Sequence, residues 1–165
     1  MTRYALKGAL GFAAASLLFV QPAQAAMSCW GQQETAAAKI RDLQSRLMVA
    51  TMRCRAMGVD VLGAYNDFVR INRTTIQAAN GVIKAQFHAG HGADGETFYD
   101  RFTTALANEY GDDPTNGEIC DQTVEIASEA AAAQGDITLL LALAERTGPP
   151  PALPGGECPI SFAER

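Results

Sequence analysis

Three features of this 165-residue sequence predict an all-α fold, with four or five helices in an up-and-down, bundle-like arrangement. The chain has 30 Ala against 28 Ile, Leu and Val combined, and such a mixture favours helix over sheet. Apolar side chains recur at spacings of three and four along most of the chain. The prolines from Pro114 onward all fall outside the stretches with that spacing, where each would cost about 3 kcal/mol.

The first helix is predicted over about 33–57. Ile40, Leu43, Leu47, Ala50, Cys54 and Met57 form one heptad-like stripe, and Gly58 stands where a helix stop is expected. Asp42 and Arg46 read as an i,i+4 ion pair on another face. Asp60 then caps a second helix, with Val59 placed for a hydrophobic staple. Its stripe runs through Val61, Tyr65, Phe68, Asn72, Ile76, Ala79, Ile83 and Phe87, so a single rod to about Ala89 is expected, with 72–75 the place for a break. Residues 88–95 read as a loop rich in glycine. Asp94 is the expected cap of a third helix reaching Tyr110, with Phe98, Phe102, Ala105 and Leu106 inward. Thr115 and Glu118 have capping-box spacing and open a fourth helix, with Ile119, Cys120, Thr123, Val124, Ala127 and Ala131 on one side. Asp136 caps a fifth, Ile137 to Thr147, which Gly148 and three prolines end. The first three helices are expected to form the main core.

Residues 1–25 have the pattern of a secretory signal peptide. Arg3 and Lys7 precede an apolar run from Ala9 to Val20, and Ala23-Gln24-Ala25 supplies a small-x-small cleavage site. The run is shorter than the roughly 20 residues that span a membrane, and no later run is long enough. Cleavage near Ala25 would leave a helical domain to residue 147 and an extended, Pro-rich tail over 148–165. It would also leave 11 basic and 18 acidic residues, a net charge of −7 where the whole chain has −5. A balance this acidic argues against nucleic acid as a partner. The competing reading makes Cys29, after Ala26-Met27-Ser28, a lipid-attachment site. The expected location is the periplasm or the exterior.

All four cysteines follow the cleavage site, and an even count in an exported chain implies two disulfides out of three pairings. Cys54 lies on the core stripe of the first helix and Cys120 on the inner side of the fourth, which pairs them. Cys29 and Cys158 are then left to staple the two ends. No C-x-x-C and no C-x-x-C-H occurs, so thioredoxin-type chemistry and covalent haem are unsupported.

Other site signals are sparse. His88 and His91, with Asp94 nearby, form the one metal-like cluster, and the competing reading has them capping a helix end. Met48, Met52 and Met57 beside Cys54 could suit Cu(I), or simply fill the core. Arg53, Arg55, Arg70 and Arg73 could hold an anion, or be solvated. Asp112, Asp113 and Glu118 lack a calcium-loop pattern. The sequence offers no G-x-S-x-G and no phosphate loop. The expectation is therefore no cofactor and no catalytic residue. Trp30, Phe162 and Pro149–Pro151 remain outside the helix stripes, either as contacts for a protein partner or packed back on the bundle.

Cys54-Arg55, the run Tyr65-Asn66-Asp67-Phe68-Val69, Tyr99-Asp100 and Cys120 resemble small exported helical proteins of alphaproteobacteria over about 40–120. The resemblance implies export and a helical core holding two cysteines, and it carries no catalytic residue. The functional expectation is a non-catalytic exported interaction or structural protein. The alternatives are a small-molecule or metal carrier and a cell-wall hydrolase using paired carboxylates.

Overall fold

The computed structural model describes residues 29–159. The expected signal peptide, its cleavage site, the lipidation context before Cys29, and Phe162 lie outside the described residues. Within them there are six α-helices: α1 (Gln32–Ala56), α2 (Leu62–Ile71), α3 (Arg73–His91), α4 (Gly95–Glu109), α5 (Gly117–Ala132) and α6 (Ile137–Thr147). With α2 and α3 taken as one interrupted helix the count is five. The described residues contain no strand, only an isolated parallel bridge between Trp30 and Glu157. None of their helices is long and apolar enough to cross a membrane.

The bundle is organised around α1, which packs against every other helix. Its expected stripe is buried at Ile40, Leu43, Leu47 and Cys54. A second row at spacings of four, three and four (Ala38, Asp42, Ser45, Val49) is buried as well. A central helix has two inward faces, so its polar face is narrow. Met57 is a correction, because it lies beyond the last turn and is 51% exposed. Met52 is exposed too, so the methionines do not gather around Cys54.

The expected break in the second rod occurs at Asn72 alone. Helical bonds persist on both sides, from Asn72 N to Phe68 O and from Ile76 N to Asn72 O. The apolar stripe therefore stays in register from Phe68 through Ile76, Ala79 and Ile83 to Phe87. The Asn72 amide donates to Phe68 O at 2.9 Å, and such back-bonding opens a helix.

The expected loop over 88–95 is much shorter. α3 continues to His91, and one 3₁₀ turn, Gly92–Asp94, leads directly into α4. The sharp reversal needs glycine twice. Gly92 has φ +56°, and a Cβ on the buried Gly95 would overlap the His88 backbone. Asp94 makes no capping bond. On α4, Phe102 and Leu106 are buried as expected and Phe98 packs half-buried against the core, while Tyr99 is buried in addition and Ala105 is exposed. At α5 the cap is Asn116, whose side chain accepts from Ile119 N at 2.9 Å, so the start lies one residue beyond the expected Thr115. Asp136 caps α6 as expected, accepting from Thr138 N and Leu139 N.

The core is not confined to the first helices. Leu140, Leu143 and Ala144 of α6 and Ala127 and Ala130 of α5 belong to the same cluster as Leu43, Phe68 and Phe87. Trp30 is part of it at 1% exposure, packed on Phe87 and Phe102 with centroids 5.6 Å away in each case. Its Nε1 donates to Pro154 O at 2.8 Å, its backbone N donates to Gly156 O, and Cys158 N donates to its O. The Pro-rich segment is thus folded back on the bundle through Trp30. Both disulfides pair as the sequence suggests, Cys29–Cys158 and Cys54–Cys120. The inner bridge forms its own buried cluster with Val61, and Val59 packs against it. Two disulfides in a chain of this size point to an oxidising compartment.

Candidate functional site

The expected metal ligands do not converge. His88 is exposed, with Nδ1 2.9 Å from Gly92 O at the end of α3 and Nε2 3.8 Å from Glu96. His91 stacks flat on Phe98, with the ring centres 3.5 Å apart. Asp94 is exposed in the 3₁₀ turn. Among the described residues no three His, Cys, Asp or Glu side chains are placed to hold a metal ion. The helix-capping reading of His88 accounts for its position.

The polar chemistry of the molecule lies elsewhere, in three residues not singled out as a site. Asp42 and Arg46 do pair at 3.2 Å, but as a buried pair, with Asp42 only 3% exposed. Tyr110, just after α4, donates its hydroxyl to Asp42 Oδ1 at 2.5 Å, and Arg46 Nη2 donates to that hydroxyl at 3.0 Å. The Arg46 guanidinium also lies over the Tyr110 ring, 4.7 Å from its centre. Arg46 further donates to Thr147 O and, at 3.4 Å, to Pro149 O. It thereby ties α1 to the end of α6 and the start of the tail. The approach requires Gly148, where φ is +155° and a Cβ would overlap the guanidinium. Arg46 Nε is buried without a partner among the described residues.

Burial pushes the Asp42 carboxyl above its ordinary value, and the bonds from Tyr110 and Arg46 offset this only in part. The same burial, together with the bond to Asp42, pushes the Tyr110 phenol up and keeps it a donor. A carboxyl raised in the folded state binds its proton more readily there than in the unfolded chain. Its contribution to stability therefore falls as pH rises from the unfolded value through the folded one. Tyr110→Phe removes a stabilising donor and should raise Asp42 further. The expected loss is about 2 kcal/mol at neutral pH, from a hydrogen bond to a charged group. It should shrink in acid, once Asp42 is protonated in both proteins. Urea melts of both proteins from pH 3 to 8 check this, and a loss independent of pH would refute the coupling.

Next to this cluster a cleft of about 260 Å³ opens between α1, the α4–α5 connection and α5. Leu47, Ala50 and Cys54 line it from α1, and Ile119, Thr123 and Ile126 from α5. The α1 stripe carries Ile40, Leu43 and Leu47 and then the small Ala50 and Cys54 along the cleft, so small side chains are where the space arises. Arg46, Arg53, Tyr110, Asp113, Thr115 and Gln122 supply its polar rim. Arg53 Nη1 donates to Tyr110 O at 2.7 Å and Gly111 O at 2.9 Å, which fixes the guanidinium at the cleft.

Of the arginines the sequence offered for an anion, only Arg53 lines this cleft. Arg55, Arg70 and Arg73 are exposed, and Arg70 pairs with Asp67. Asp112, Asp113 and Glu118 are exposed around the α4–α5 connection. Comparison with protein-family models, curated proteins and solved structures found no match for this chain.

Proposed function

We propose that the chain is exported, by a signal peptide cleaved after Ala25, to the periplasm or the exterior. There it acts as a non-catalytic interaction or structural module, in keeping with the resemblance to small exported helical proteins. The observation that carries this reading is the disulfide pair. One bridge is fully buried between α1 and α5, and one joins the two ends of the described fold, 129 residues apart in sequence. Such bridges form and persist where thiols are oxidised. The non-catalytic part is supported by the state of the buried polar groups, since Asp42, Tyr110 and Arg46 are engaged with one another. Sequencing the N-terminus of the protein recovered from its producing cell tests export, with Ala26 as the expected first residue. Alkylation without reductant should label no cysteine. An intact Met1 on a thiol-bearing product would overturn the reading, and a lipid on Cys29 would replace it with a membrane-anchored form.

The cleft beside Arg53 favours a second reading, a carrier of a small molecule. Ligand sites combine apolar walls with a few fixed polar groups, and this cleft has both.

A further inference from the structure

We propose that the α1–α5 cleft is a binding site for a small organic monoanion, a carboxylate on a compact apolar body, with Arg53 as the residue that receives the carboxylate. The inference rests on the carrier reading and names the ligand class for it.

Charge is the first argument. Both arginines at the cleft are cations, but they differ in what surrounds them. Arg46 is matched by the buried Asp42. Arg53 donates only to two neutral carbonyls through Nη1 and forms no ion pair among the described residues. Its Nε and Nη2 donate to no acceptor among the described residues. A guanidinium already held by two acceptors has lost much of its side-chain freedom, so less ordering remains to be done when a ligand arrives. Carboxylates suit the remaining donors, because the planar fork matches two oxygens.

The second argument is the neutral polar groups. Thr115 and Gln122 line the same cleft with only long bonds to the protein, each 3.5 Å, to Asp113 O and to Glu118. Such bonds are weak enough to exchange for a ligand. Thr123, by contrast, is committed to Ile119 O at 2.7 Å.

Shape and the limit on charge are the third argument. Leu47, Ala50 and Ile126 give the cleft an apolar wall, and about 260 Å³ falls just below the range of about 300–1,000 Å³ typical of drug-sized ligands. The body is therefore compact. Asp113 on the rim offsets part of the positive field of Arg53, so the cleft has cation enough for one negative charge and disfavours dicarboxylates and phosphate.

Hexanoate and phenylacetate, titrated calorimetrically into the disulfide-bonded protein, should each saturate a single site. Succinate, inorganic phosphate, 1-hexanol and hexylamine should bind at least about tenfold more weakly. Arg53→Gln should weaken hexanoate by about tenfold or more, and Arg53→Lys should restore part of it. Because Arg53 also holds the α4–α5 connection, Ala50→Phe serves as a separate variant. It fills the cleft without touching the cation and should abolish binding while the melting temperature stays near that of the parent. Equal binding of 1-hexanol and hexanoate, or an unchanged affinity in Arg53→Gln, overturns the anion site and leaves a neutral-ligand carrier standing. No saturable binding of any probe overturns the site and the carrier reading together. Neither result bears on export, which the N-terminal sequence decides.

Discussion

Replacing Cys54 and Cys120 together by alanine is expected to destabilise the protein by about 4 kcal/mol, from the entropy regained by the unfolded chain when a loop of this length is opened. The bridge spans 66 residues in sequence and joins α1 to α5 at a point with no solvent exposure. A domain of this size has a total stability of about 5–15 kcal/mol, so the loss is a large share of it. Removing two sulfurs from the cluster around Val61 adds a packing penalty in the same direction. Urea unfolding measures both consequences. The midpoint should fall, and the slope should rise because the unfolded chain expands. A change below about 1 kcal/mol would mean that the α1–α5 contact holds the unfolded chain together without the bond. Reduction should also proceed in order. Cys29 and Cys158 are half-buried, so a dithiol should open the outer bridge first and reach Cys54–Cys120 only when the bundle opens. Mass mapping of alkylated cysteines after partial reduction reads that order.

The disulfides also show what kind of structural information periodicity carries. Cys54 lay on an apolar stripe of α1 and Cys120 on the inner face of α5, and helical spacing alone placed both toward the core. The α6 bounds, Ile137–Thr147, and its Asp136 cap were equally legible, since an aspartate after Gly135 and a glycine before three prolines leave little choice. Caps misled where two polar residues competed. Thr115 has a glutamate at the right spacing, but Asn116 is the better acceptor and took the position. The α3–α4 connection misled for a different reason. Its glycines suggested a loop, whereas Gly92 serves a tight reversal at positive φ and Gly95 a close approach to His88 that a sequence pattern does not reveal.

The candidate site was the least legible part. Asp42 and Arg46 were visible as an i,i+4 pair, and such pairs are usually solvated. A second signal was available in Ala38, Asp42, Ser45 and Val49, which repeat at four, three and four beside the main stripe. Two inward rows on one helix mean a central helix, and a charged residue on the second row must then find partners. Tyr110 could not be assigned that part from sequence, because it lies 68 residues away and beyond the end of α4. Arg53 was a candidate only as one of four arginines. What sets it apart is the pair of carbonyls at Tyr110 and Gly111, and backbone acceptors leave no trace in side-chain patterns.

Asn72→Ala should cost about 3 kcal/mol, as large an effect as that of a sizeable core truncation, although Asn72 is a polar residue in what reads as an apolar stripe. Its side chain is 1% exposed, and its amide is used at both ends. Nδ2 donates to Phe68 O at 2.9 Å and to Ala130 O at 2.8 Å, while Oδ1 accepts from Gly135 N at 2.7 Å. One side chain therefore links the α2–α3 junction to the end of α5 and to the turn before α6. Nearby, Thr75 donates to Gly135 O at 3.0 Å, so the turn is held from both of its polar groups. Alanine would leave Ala130 O unpaired in a buried site, at about 1–3 kcal/mol, and Gly135 N unpaired in a half-buried one, at the lower end of that range. Leucine would fill the volume and leave the same two groups unpaired, so it should rescue little. Aspartate keeps the acceptor for Gly135 but loses both donors and brings a buried charge, which should make it the worst of the three at neutral pH. The expected order of stability in urea, Asn above Leu and Ala and then Asp, separates hydrogen bonding from packing. A leucine variant as stable as the parent would show that the site needs only volume, and the bridge from Asn72 to Gly135 would then contribute nothing to holding α6 on the bundle.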